Sequence, residues 1–448
     1  MTDINRNDLN YQSWRSRVLF RLKVGLQTIC ADKRYIRNSI ILFSIFVVYW
    51  LIRFVFLGPD NKDVMAALAW RSSRLTSIFL FIILIIVYVL AYSQPFEAMR
   101  SHKSLLRAGF VNSVGEPPML VSLIYDGPLM RYQYSAEGIA LKEWEDNKEV
   151  LENALNIVIG QIKETSDKQH ILMTAVDGSF RYPEKMYWQA RDAIKKDEIV
   201  IGRNLYEDVA VSLNTYPHFL IGGSTGSGKT VLLKFMLMQC LRNGYKVIIA
   251  DFKGGVDYIN VWHETCTFIC DKDTVTKKLI KLLTTLESRK KILRDAGCVN
   301  ISEYNRLNSL QLERIIFACD EVAELLDKTG ADKVNKELSA KIESMIATIA
   351  RQGRAFGIHL ILATQRPDAN IISGQIKNNI DYRVCGRADN VLAQIILDTA
   401  DAASQIPKDE PGMFLNQEGI IFKGYLFEEA DMKRIIQETG VFNNHLSL

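Results

Sequence analysis

The chain has 448 residues, 48% of them hydrophobic and 24% charged, which is ordinary globular composition at a length that calls for two or three structural units. A net charge of +4 is too small to identify a nucleic-acid partner by itself. Seven scattered cysteines argue against a disulfide framework and for free thiols in a reducing compartment, and the close pair Cys266 and Cys270 has no second Cys/His pair at zinc spacing.

Nearly all of the uninterrupted apolar sequence lies before residue 93. Residues 1–38 form a basic segment, and within it 14–29 mixes Arg and Lys with apolar residues at helical spacing, as in a helix lying on the inner membrane leaflet. Residues 39–57 and 75–92 are predicted transmembrane helices, each long enough to cross roughly 30 Å of hydrocarbon. Arg53 interrupts the first near one end, where a long side chain can reach the headgroups. Eight Lys or Arg precede the first span, against Lys62, Arg71 and Arg74 in the external loop 58–74. That asymmetry places the N-terminus, and after two crossings the remaining chain, in the cytoplasm, anchored to the cell membrane.

Residues 93–200 are expected to form a small α/β connecting module. Strand-like runs at 119–125 and 129–134 flank an Asp126-Gly127-Pro128 turn and predict a hairpin. Val150, Leu151, Ala154, Leu155, Val158 and Ile162 share one face of a helix predicted over 144–163.

From 201 to 448 the pattern is that of an α/β domain. Gly223-Ser224-Thr225-Gly226-Ser227-Gly228-Lys229-Thr230 matches the phosphate-binding loop in full, entered by an apolar run at 218–221 and left by a helical one at 231–241. Glycines let backbone N–H groups close around phosphate oxygens, and the helix start adds its positive dipole end. Lys229 is then expected to meet the β- and γ-phosphates of ATP, and Thr230 to coordinate Mg²⁺. A second buried run, 314–319, delivers Asp320 and Glu321 to a strand end, Asp320 for the magnesium and Glu321 as the base that polarises the attacking water. A third, 358–363, ends at Thr364-Gln365, where Gln365 can sense the γ-phosphate. With 246–251, followed by Phe252-Lys253-Gly254-Gly255, these four strands alternate with helices and imply a mainly parallel sheet.

The order of several segments resembles the FtsK/SpoIIIE motor family, within the RecA-like P-loop ATPases, over roughly residues 200–427. The strongest are 217–230, 286–305, 315–325 and 350–387. The resemblance implies a homohexameric ring with ATP between subunits and DNA threaded through the centre. By the same resemblance Lys229, Thr230, Asp320, Glu321 and Gln365 occupy nucleotide-handling positions, and Arg383 looks like the arginine that reaches a neighbour's ATP, with Arg354 and Arg387 as rivals. The stretch 368–377 is similar to the family's channel-facing loop, where Lys377 would contact DNA phosphates. Lys328, Lys333 and Lys336 form a second possible contact loop, and the basic stretch 277–294 reads as a packed surface helix first. Two membrane helices and a short chain after the ATPase resemble the coupling ATPases of Gram-positive conjugative plasmids and integrative elements, which implies DNA delivery to a transfer channel with relaxase and channel proteins as partners. A type VII-like protein-secretion ATPase is the alternative, since those proteins also pair two membrane helices with such domains.

Overall fold

In the computed structural model, which describes residues 6–31, 33–56, 64–189, 197–366 and 372–437, the chain opens on the helices α1 (Arg6–Ala31), α2 (Lys33–Phe56) and α3 (Val64–Ala91). Residues 33–52 and 70–91 are long and apolar enough to cross a membrane, with mean hydropathies of 1.7 and 2.6 and almost no burial against protein. Helices with so little polar face find no stable solvation in water. α2 and α3 meet through stacked Phe46 and Phe81, 3.5 Å between ring centroids, and through the Ser39 and Tyr88 hydroxyls at 3.2 Å.

Two expectations for this region change. Residues 64–74, read as loop, are helical from Val64 onward, because Met65-Ala66-Ala67-Leu68-Ala69 is a run of strong helix formers; residues 57–63 lie outside the described residues. The helix expected on a membrane surface packs one part of its surface against protein, while its Leu19 and Leu26 are exposed. Val24 and Ile29 of α1 are buried, and Gly25 lies so close to α3 that a Cβ would stand 2.0 Å from the Val89 carbonyl oxygen. Arg21 donates to the carbonyls of Ser93, at 3.1 Å, and Leu120, and burial lowers its pKa to about 10.

α4 (Pro95–Arg107) leads into an antiparallel sheet of β1 (Leu120–Asp126), β2 (Leu129–Ser135), β3 (Ile157–Glu164) and β4 (His170–Asp177), ordered β1-β2-β4-β3. The expected hairpin is β1–β2, closed by an Asp126 to Leu129 pair. Gln94 protects the free edge of β1: its amide accepts from Leu123 N at 2.7 Å and donates to Leu123 O at 2.6 Å, as a neighbouring strand would. The predicted helix over 144–163 is broken. It is replaced by α5 (Leu141–Asp146), α6 (Lys148–Leu155) and β3. Asn156 ends α6 in the left-handed region, and the β-branched run Ile157-Val158-Ile159 then pairs with β4. Tyr134, Trp144, Leu151, Ile159 and Ile171 are the fully buried centre of this layer.

The chain divides into two compact units, Met1–Phe180 and Arg181–Leu448. In the second, the strands are β5 (Glu198–Arg203), β6 (Asp208–Ser212), β7 (His218–Gly222), β8 (Lys246–Ala250), β9 (Thr267–Ile269), β10 (Ile315–Cys319), β11 (Ile358–Thr364), β12 (Tyr382–Cys385), β13 (Met413–Asn416) and β14 (Ile421–Gly424). The division expected at residue 200 falls inside β5, which pairs with β6 and β14.

Among the described residues these strands form one sheet, ordered β6-β5-β14-β13-β12-β7-β11-β10-β8-β9. From β12 to β9 neighbouring strands run parallel; the other end is antiparallel. The parallel strands β7, β10 and β11 are buried at every residue, as strands covered on both faces must be.

One face carries α7 (Lys229–Arg242), whose Leu233, Phe235 and Leu237 share a core with Phe219 and Ile221 of β7. α8 (Asn260–Thr265) packs into the same core through Trp262. The other face carries α9 (Lys272–Asp295), α11 (Val322–Leu326), α12 (Lys333–Phe356) and α14 (Asn390–Leu397), with Leu279, Leu325, Ile346 and Ile396 in one cluster. α10 (Ile301–Leu307) joins α9 to β10, and α13 (Gly374–Lys377) precedes β12.

α9 is the basic helix 277–294, and it is packed as expected: Leu279, Leu282 and Leu286 are buried. Its Arg289 is buried too and donates to the carbonyls of Phe356, at 2.5 Å, and Glu313, at 2.6 Å.

Candidate functional site

β7 ends at Gly222 and α7 begins at Lys229, so residues 223–228 turn strand into helix. Gly226, at φ 77°, and Gly228, at φ 95°, make that turn in the left-handed region, where side chains are disfavoured. A Cβ on Gly228 would also meet the Gly412 backbone at 3.1 Å.

The loop is braced from outside. Ser224 N donates to Arg387 O at 2.8 Å and Gly412 N to Ser227 O at 2.9 Å, while Arg387 Nη2 donates to Thr225 O at 2.6 Å. The Ser227 hydroxyl is buried with no partner among the described residues. An orphaned hydroxyl, N–H groups at a helix start and the Lys229 ammonium form a donor set that fits phosphate oxygens.

The strand order β7-β11-β10 places the other predicted residues around this loop. Lys229 Nζ donates to Asp320 O at 2.6 Å and Oδ1 at 2.9 Å. Thr230 Oγ1 lies 3.1 and 3.2 Å from the two Asp320 oxygens. The Asp320 and Glu321 residues are buried. Glu321 is held by three donors: Thr364 Oγ1 at 2.7 Å, Gln365 N at 3.0 Å and Ala323 N at 3.3 Å. Gln365 sits at the tip of the middle strand, its Oε1 accepting from Thr225 Oγ1 at 3.0 Å. A hydroxyl and a carboxylate side by side suit Mg²⁺, which keeps waters and phosphate oxygens for its other positions.

A cleft of about 430 Å³ opens over the loop, lined by residues 224–231 together with Lys234, Lys253, Asp257, Gln365, Phe427 and Glu429. Lys253 carries no motif signal of its own, although the segment Phe252-Lys253-Gly254-Gly255 around it stands out in the sequence. Asp251 accepts from Lys253 N at 3.1 Å and Gly255 N at 2.6 Å, a local turn that presents Lys253 to the cleft. Its ammonium stands 3.2 Å from Asp257 and 3.7 Å from Asp320. Partial burial lowers its pKa, but the hydrogen bond to Asp257 and the charges of Asp320 and Asp251 raise it overall. Lys234 and Glu429, paired at 2.7 Å, come from α7 and from far along the chain, a juxtaposition without a local sequence signal.

The remaining candidates lie elsewhere. Arg383 and Lys377 do not line the cleft; both pair with Asp398, at 2.5 Å each. Residues 367–371, which hold the start of the expected channel loop, lie outside the described residues. Arg387 braces the phosphate loop of its own chain, and Arg354 Nε donates to Asn214 O at 2.9 Å, ahead of the N-terminal ends of β11 and β7. Lys328 pairs with Glu343 at 2.6 Å, while Lys333 and Lys336 are exposed.

A parallel sheet that sets a phosphate loop, a strand-end acidic pair and a polar strand tip around one cleft defines a P-loop ATPase fold. The chain belongs to the FtsK/SpoIIIE family, whose profile matches residues 185–311 and 306–369. It is similar to the pCW3 conjugation coupling protein TcpA, solved in monomer form with ATPγS, at 31% identity and a TM-score of 0.56, covering 76% of this chain and 99% of that one. It is 32% identical over 262 residues to the DNA translocase FtsK of Chlamydia pneumoniae, covering 53% of this chain and 30% of the relative. With the DNA translocase FtsK of Campylobacter jejuni it shares 30% identity over 227 residues, 47% of this chain and 23% of the relative. The chain thus spans less than a third of the length of these translocases.

Proposed function

We propose that this protein is a membrane-anchored, ATP-driven DNA translocase that serves as a conjugative coupling protein, moving DNA toward a transfer channel. The observation that carries the reading is the likeness, at 31% identity, across 99% of the chain of a conjugation coupling protein. The two apolar helices and the basic residues before the first support a two-pass anchor with the ATPase domain in the cytoplasm.

In this reading Lys229 and the N–H groups of 223–230 bind the phosphates of ATP. Thr230 and Asp320 would hold Mg²⁺, whose charge would offset the negative charge that develops on the phosphate oxygens. Glu321, fixed by its three donors, accepts a proton from the attacking water, and Gln365 contacts the γ-phosphate. In a homo-oligomer, expected as a hexameric ring, Arg383 reaches the nucleotide of a neighbour, which makes hydrolysis depend on assembly. Lys377 contacts DNA phosphates, without reading sequence. Relaxase and channel proteins are the expected partners.

The test is the ATPase rate of the full chain in detergent at low salt, with single-stranded DNA, duplex DNA or polypeptide added, beside Lys229→Ala. The expected result is DNA-stimulated hydrolysis that the variant lacks. Hydrolysis that DNA leaves unchanged, or that polypeptide alone stimulates, overturns the reading.

A further inference from the structure

Asp398 follows the last residue of α14 and adopts the left-handed region, φ 64°, which Asp tolerates better than most residues. That conformation aims each carboxylate oxygen at a different cation: Oδ1 at Lys377 Nζ and Oδ2 at Arg383 Nη1, both at 2.5 Å. Arg383 is further fixed by donation from Nε to Ile380 O at 3.1 Å and from Nη1 toward Ile396 O at 3.5 Å. The two cationic side chains are largely covered, whereas the carboxylate between them is 60% exposed. Its hydrogen bond from Lys377, and then that from Arg383, hold its pKa below the usual carboxylate range against partial burial. The cluster therefore carries one anion between two cations that the functional reading assigns to different ligands.

We propose that Asp398 is a positioning residue that couples phosphate contact at Lys377 to the orientation of Arg383, an inference that rests on the DNA-driven reading above. A backbone phosphate oxygen competes with Oδ1 for the Lys377 ammonium. Once the ammonium turns to the phosphate, the whole carboxylate attraction falls on Arg383, and the guanidinium is fixed for the neighbouring subunit's nucleotide. Asp398 itself touches neither ligand. A plain helix-end ion pair would stabilise the domain without distinguishing DNA-bound from DNA-free turnover.

The experiment compares full-length protein with D398N and D398G in ATPase assays with and without duplex DNA. Both replacements suit a left-handed backbone, and thermal unfolding midpoints check that each variant folds. The expected result is a DNA-stimulated kcat lowered roughly 10- to 100-fold, with the DNA-free rate and the KM for ATP held within about twofold. D398E, which keeps the charge, restores part of the stimulation. Stimulation intact in D398N and D398G overturns the proposal, and so does an equal fall of stimulated and unstimulated rates. A native protein that DNA fails to stimulate sinks the DNA-driven reading and this proposal with it, whereas stimulated native protein with equally stimulated variants sinks this proposal alone.

Discussion

Thr364 donates its hydroxyl to Glu321 Oε1 across 2.7 Å, so the tip of β11 aims the carboxylate at the end of β10. The contact exists because the two strands are parallel neighbours in register, Cys319 opposite Leu362. Buried carboxylates without such donors lose either their charge or their direction. Thr364→Val keeps shape and β-branching but removes the donor. Its kcat for ATP is expected to fall roughly tenfold with KM little changed, in steady-state ATPase assays. An unchanged kcat would separate the hydroxyl from turnover.

Glu321→Gln tests the role proposed for Glu321 as the base. The neutral amide cannot take a proton from water, so hydrolysis is expected to fall by roughly 10²- to 10⁴-fold while nucleotide still binds. Fluorescent-nucleotide titration beside single-turnover hydrolysis measures both. Rapid hydrolysis in this variant would move the role of base to another group.

The arginines separate by where they act. Arg387 holds Thr225 O at 2.6 Å, so Arg387→Ala is expected to weaken nucleotide affinity even in a lone subunit. Arg383 is anchored to Asp398 outside the cleft, so Arg383→Ala is expected to leave affinity intact. Its cost appears as a fall in kcat of up to roughly 10³- to 10⁵-fold in the assembled protein only. Equal affinity losses in the two variants would contradict this division.

Acid should destabilise the ATPase domain through two buried histidines. Burial lowers the pKa of His218 to about 3, and burial with the Arg314 and His218 charges takes His359 well below its ordinary value. His359 Nδ1 donates to Pro217 O and Nε2 accepts from Arg314, both at 3.0 Å, an arrangement that needs the neutral ring. Folded and unfolded forms bind the same protons only well above pH 6.5. Below it the unfolded chain takes up more, so stability falls as pH drops from 6.5 toward 3, by about 2 kcal/mol per histidine between pH 7 and 5. Denaturant unfolding of the full chain at each pH checks the slope, which His359→Gln should flatten. A flat profile would show that the two rings titrate normally.

Local spacing was enough to read much of this molecule. The phosphate loop, the two apolar helices, the β1–β2 hairpin and, to within a residue at either end, the strands read at 218–221, 246–251, 314–319 and 358–363 were legible because each depends on residues adjacent in the chain. The helix expected over 144–163 failed for a related reason. Apolar residues at Val158 and Ile162 satisfy helical spacing, but β4 offers them a paired strand, and pairing across the sheet outweighs a weak local preference.

By itself the sequence marked the phosphate loop, the acidic pair and the strand-tip glutamine, since phosphate, magnesium and water activation call for particular groups at strand ends and a helix start, but not Lys234, Lys253 or Glu429 on the cleft wall. Only the tertiary structure decided how they meet. The insertion of β11 between β7 and β10 brings Gln365 to Thr225 and Thr364 to Glu321, and the left-handed turn after α14 joins Lys377 to Arg383 through Asp398. Such contacts are set by strand order and by the packing that fixes it, over chain separations where residue periodicity carries no information.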